Sequence, residues 1–315
     1  MEKEIVVVKK QKDLDTVPLD FEGIIEIRNS KPIIIKNRCN TICVYDQTDV
    51  TAYGDVKLCC YDKVKVKACD HACIEAYDDV HVEAYDDVHV EAYNHAEVEA
   101  YNHAEVEAYN DVHVEVWDFS RCVARDHVRV ESHDKSLVVA RDHVCVEAYN
   151  DVRVIAWDNA HIEAWGYIKV EAHNDAVVFA YSYCYVDAYD EVKVTARGNS
   201  YVVAWHHSKV NIYDNSKCVA HDNARVRMRD NTTANIYNKS CVLAYDNSKC
   251  VAHHHVYVEA FRNAIIKAYG NVFVEAHDMV HVIAWDDAKI KIHDNANVKV
   301  FDNAIFVTDD TIQDA

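Results

Sequence analysis

Glutamate recurs at Glu75, Glu83, Glu91, Glu99, Glu107, Glu115, Glu131, Glu147, Glu163 and Glu171, always a multiple of eight residues apart. Carboxylates do two kinds of chemistry. A unique pair in unlike surroundings exchanges protons with a substrate, whereas a regular row presents a negative surface to a basic partner. Ten equivalent positions do not make a unique pair, so the row reads as a candidate acidic binding ladder. The blander account is charge that keeps strands soluble, offset by His81, His89, His113, His161 and Lys169, each two residues before a ladder glutamate.

Three other residue sets invite chemistry. Histidines cluster at His253-His254-His255, at His206-His207, and at His95 with His103. Consecutive histidines cannot all face one ion, and no Cys/His spacing of a zinc site occurs, so neither a metal site nor a cofactor is predicted. Aromatic residues recur at Tyr77, Tyr85, Tyr93, Tyr101, Tyr109, Trp117, Trp157 and Trp165, a pattern that mutual stacking explains without a ligand. The twelve cysteines, including Cys59-Cys60, form no paired framework and read as reduced thiols. No nucleophile with a base, no phosphate-binding glycine loop and no nucleotide fingerprint is present, which argues against an enzyme.

The element that carries these residues is an eight-residue repeat. With Ile74 as position 1, 29 complete units run to Ile305; position 3 is Ala in 22 of them, position 4 is aromatic or His in 25, and position 5 is Asp, Asn or Gly in 25. Positions 7, 1 and 3 alternate along an extended chain and share an apolar face, while positions 8 and 2 are polar and share the other. Asp, Asn and Gly at position 5 favour a corner. A helix is excluded, because a period of eight gives no continuous stripe at 3.6 residues per turn. The unit is one strand and one corner, and identical columns along 29 units predict a stacked parallel β-solenoid, all-β in class and rod-shaped. Small inward residues favour two units, 16 residues, per coil over three units and 24.

The organisation follows. Residues 1–41 form a cap and first strands, with Ile5-Val6-Val7-Val8 a strand, Lys9 to Asp13 a basic turn, and Leu14 to Phe21 a short irregular or helical piece broken by Pro18. Residues 42–306 are the solenoid, and 307–315 an acidic tail too short to cover an open strand edge, which leaves an end-to-end homodimer open. The net charge of −20 opposes direct contact with nucleic acid or an anionic membrane. No run is long and apolar enough to span a bilayer, and the first residues lack a secretory pattern, so a cytoplasmic location is expected.

The units Val-Glu-Ala-Tyr-Asp-Asp-Val-His (82–89) and Val-Leu-Ala-Tyr-Asp-Asn-Ser-Lys (242–249) resemble the octapeptide repeats of uncharacterised bacterial and bacteriophage solenoid proteins. That resemblance implies a solenoid of bacterial or phage origin and no function. By looser analogy of shape and charge, the chain is similar to the acidic pentapeptide-repeat solenoids that mimic DNA. The sequence therefore predicts a non-enzymatic binding or scaffold protein acting through protein–protein contacts with a basic surface. Its alternatives are a nucleic-acid mimic in the basic groove of a DNA- or RNA-handling enzyme, and a structural fibre or spike element.

Overall fold

The computed structural model describes residues 4–28 and 31–308, so the expected acidic tail lies almost wholly outside the described residues. Apart from one helix, Gln11–Thr16, its elements are β-strands of four to six residues. The chain divides into two units, residues 1–155 and 156–315. Each is a parallel β-solenoid whose coils are two-sided.

Register fixes the coil. In the first unit Val90 lies beside Val106 in one sheet and Val98 beside Val114 in the other. In the second unit Val194 lies beside Val210 and Val186 beside Val202. Partners are thus 16 residues apart and successive octapeptides alternate between two sheets, which decides for 16 over 24. The reason is side-chain size. Val82, Ala84, Val90 and Ala92 are fully buried, and Val and Ala fill the narrow space between two facing sheets without a third wall.

Strands begin one residue later than the pattern predicts. His81–Ala84 and His89–Tyr93 start at position 8, and position 7 stays outside the ladder although Val80 and Val88 point inward and are buried. Position 7 closes the corner: the Ala104 amide donates to the Tyr101 carbonyl at 3.3 Å. Its own carbonyl accepts from position 8 of the next coil, as when the His89 amide donates to Ala72 at 3.0 Å. Where position 7 is Ser or Thr, the hydroxyl can make the same closure, Ser240 Oγ donating to the Tyr237 carbonyl at 2.8 Å and Thr48 Oγ1 to Tyr45 at 3.0 Å, whereas the buried hydroxyls of Ser120, Ser216, Thr232 and Ser248 have no hydrogen-bond partner among the described residues. A buried hydroxyl is tolerated when it is bonded in this way.

Position 5 explains its own composition. Asp86, Asp158 and Asp246 have φ of 64°, 58° and 59°, a left-handed conformation that Asp and Asn tolerate and β-branched residues do not. Their carboxylates also stack. The Asp214 amide donates to Asp230 Oδ2 at 3.2 Å, and the Asp230 amide to Asp246 Oδ2 at 3.4 Å. Part of the protein's negative charge is therefore structural, spent on joining corners.

The first coil is covered by the helix Gln11–Thr16, through Leu14 and the following Val17, both buried. It begins within the stretch expected to be a basic turn and stops before Pro18, since the residue preceding proline is pushed to extended geometry; Val17 has φ −76° and ψ 125°. The buried Arg38 guanidinium donates to the carbonyls of Leu14 at 3.0 Å and Val17 at 3.1 Å, satisfying groups that a helix end leaves unpaired. Among the described residues no helix is long and apolar enough to cross a membrane.

Candidate functional site

The ten ladder glutamates do not form one surface. In the first unit Glu75, Glu91 and Glu107 stand in register on one sheet. Glu83, Glu99, Glu115, Glu131 and Glu147 stand in register on the other. Outward residues of the two sheets point away from each other, so the structure makes two carboxylate columns on opposite faces. In the second unit Glu163 is followed in its column by Phe179 and Glu171 by Asp187, and neither continues as a row of glutamates.

Most of these carboxylates are held by the residue two places on, an exception being Glu115, whose neighbour Trp117 has a buried Nε1 with no partner among the described residues. Position 4 lies on the same side of the chain as position 2, so its ring tip reaches back. Tyr85 hydroxyl donates to Glu83 at 3.1 Å, Tyr93 to Glu91 at 2.9 Å, Tyr101 to Glu99 at 2.6 Å and Tyr109 to Glu107 at 2.7 Å. The rings stack in turn, with Tyr61, Tyr77, Tyr93 and Tyr109 at 5.0–5.2 Å between centroids. Neighbouring rings thus cover one another's faces, which removes the broad platform that a sugar or base would need.

Cations are unevenly supplied. Lys57 Nζ lies 2.9 Å from Glu75, Lys67 3.8 Å from Glu83, and Arg129 2.7 Å from Glu147. Between residues 68 and 120 there is no Lys or Arg, against 15 Asp and Glu. There the basic neighbours of the columns are histidines: His89 lies 3.7 Å from Glu91 and His113 3.7 Å from Glu115. The hydrogen bond from Lys57 holds the Glu75 carboxyl below its ordinary value. Burial, then the bond to Glu91, pushes the Tyr93 phenol up. The first shift favours the ionised Glu75 carboxylate and the second the neutral Tyr93 phenol.

One column changes chemistry along its length. Glu26, Cys43, Cys59 and Glu75 are successive neighbours in register. Cys59 Sγ donates to Glu75 at 3.4 Å, and burial with that carboxylate raises its thiol to about 12. It serves as a donor, opposite in character to a reactive thiolate.

A feature of the second unit was missed by sequence reasoning. Lys193, Lys209 and Arg225 are in register on one sheet, with Arg227 beside them. The strands Lys193–Ala196, Lys209–Ile212, Arg225–Met228 and Cys241–Ala244 carry no outward Asp or Glu, so the patch is cationic within an acidic protein. Its signal was available as basic residues 16 apart at position 8. The first unit holds 32 Asp and Glu against 18 Lys and Arg, the second 21 against 15. No family model, curated protein or solved structure matches this chain.

Proposed function

We propose that the chain is a non-enzymatic binding or scaffold protein whose carboxylate columns in the first unit dock a basic protein surface. The observation that carries this reading is the hydrogen bond that a stacked tyrosine donates to each of Glu75, Glu83, Glu91, Glu99 and Glu107. A column of like charges at strand spacing repels itself, yet here these five carboxylates are fixed by hydrogen bonds and half-exposed. Fixed charges lose little freedom on binding, which favours association. The stretch from 68 to 120, without a single Lys or Arg, is the strongest part of the surface.

Charge density favours a narrower second reading, that of a nucleic-acid mimic. Fifteen acidic residues over 53 positions, at 16 residues per coil, give about one carboxylate per 1.1 Å along the stacking direction of this unit, taking ~4.8 Å between coils. Duplex DNA carries one charge per about 1.7 Å. A groove built for DNA would meet at least as dense a negative field here.

The test is cross-linked capture from lysate of the native host at low and high salt, with added DNA duplex. A basic partner retained at low salt and lost at high salt supports docking through charge. Competition by duplex selects the mimic. Recovery of envelope or virion components at both salts overturns both readings in favour of a structural element.

A further inference from the structure

At most rungs of these columns one polar tip serves one carboxylate. Beside Glu171, for example, His173 Nε2 lies 3.2 Å from the carboxylate and takes the place of a tyrosine hydroxyl. Glu275, in the second unit, is different. His277 follows it by two residues, and His293 occupies the same position one coil on, the strands Phe273–Ala276 and Lys289–Ile292 being paired in register. The two imidazoles lie parallel, 4.3 Å between centroids and 2° between planes. His293 Nε2 is 3.7 Å from Glu275 Oε2. One oxygen of Glu275 and one nitrogen of each ring lie within 4.8 Å of one another.

Stacking alone does not require histidine here. Phe261 stacks on His277 at 4.6 Å, and Phe301 fills the same position at the end of the neighbouring column. What imidazole adds is a lone pair. His277 Nε2 is shielded from solvent and has no hydrogen-bond partner among the described residues, an uncompensated cost for a buried polar atom. The side chains of His293 and Glu275 are only 17% and 25% exposed, so the three donors share a sheltered place.

We propose that Glu275, His277 and His293 form a divalent-metal site of two imidazoles and one carboxylate, suited to Zn²⁺. This ligand set is one that binds zinc with water in the remaining position. Zinc–nitrogen distances of about 2.0–2.1 Å require the two Nε2 atoms to approach, so binding tilts the rings out of their parallel stack. Both side chains are partly exposed. The charged groups around the site act in both directions. Glu259 and Lys291 flank Glu275 in register, and burial followed by the Glu275 charge pushes the Tyr257 phenol up to about 12. Lys291 opposes a cation, and its removal strengthens binding.

The experiment uses the full chain and metal ions alone. Co²⁺ titration followed by visible absorption should show one ion per chain in a low-symmetry site, displaced by Zn²⁺. His277→Phe and His293→Phe keep a ring in the stack, and each should weaken binding at least about tenfold with an unchanged circular dichroism spectrum. Glu275→Gln should do the same, Lys291→Gln should tighten binding, and His206→Ala in an exposed corner should change nothing. No stoichiometric uptake, or uptake that survives both phenylalanine variants, overturns the site and leaves the two histidines as rungs of the stack.

Discussion

The Tyr93 hydroxyl donates to Glu91 Oε2 at 2.9 Å, two residues back along one strand, while its ring stacks between Tyr77 and Tyr109. One side chain thus holds a carboxylate in place and ties three coils together. Tyr93→Phe separates the roles, since it keeps the ring and deletes the donor. The expected loss is about 0.5–1 kcal/mol in chemical denaturation, below the about 1.5–3 of a bond to a buried charged group because Glu91 is 42% exposed. Tyr93→Ala also removes the stacking and should cost more.

The same pairs set the pH range of stability. The phenols of Tyr77, Tyr85, Tyr93, Tyr101 and Tyr109 are all raised; for Tyr101 the bond it donates to Glu99 is the main cause, for Tyr93 burial is. In the unfolded chain tyrosine ionises near about 10, while the folded chain still holds these protons. Their contribution is complete below about 10 and is lost as pH climbs through the raised folded values. Glu75 is lowered by Lys57, so its contribution is complete above the unfolded carboxylate value of about 4.3 and is lost as pH falls through the folded one. Denaturation midpoints should therefore fall at both ends, and phenylalanine at the five tyrosines should flatten the alkaline limb. An alkaline limb unchanged in that variant contradicts the assignment.

Position 3 sets the distance between the sheets. Ala92 is fully buried with fully buried neighbours on its strand and the next, so Ala92→Leu should destabilise by about 1–3 kcal/mol through overpacking. Glu91→Leu, one residue away and facing out, should cost far less. Equal costs in denaturant titrations would show that the alternation is not as described.

The period of Val82, Val90 and Val98 made the solenoid legible, and Asp at position 5 made the corner legible, because each column has one physical demand. The faces were harder to read. With 16 and 24 residues per coil both open, Glu75 and Glu83 cannot be assigned to the same or opposite sides, and ten glutamates look like one ladder. His277 and His293 are neighbours only once the register is 16. The Tyr–Glu bond depends on position 4 pointing back along the strand, a direction that spacing alone does not give.

The cationic column argues for where the contact is not. Lys193, Lys209 and Arg225 stand in register and repel one another, so Lys209→Gln should be neutral or slightly stabilising. In partner capture, the pair Lys209→Gln and Arg225→Gln should leave recovery of a basic protein unchanged or improved. Loss of recovery would place the contact on the second unit instead.

The most direct test compares the wild-type chain with two variants, one with Glu75, Glu91 and Glu107 changed to Gln, the other with Glu83, Glu99 and Glu115 changed to Gln. Each is used in cross-linked capture from native host lysate at low and high salt. The account predicts a basic partner that the wild type recovers only at low salt and that at least one variant fails to recover while remaining folded. Equal recovery by all three proteins, or recovery of nothing but the chain itself, would contradict it.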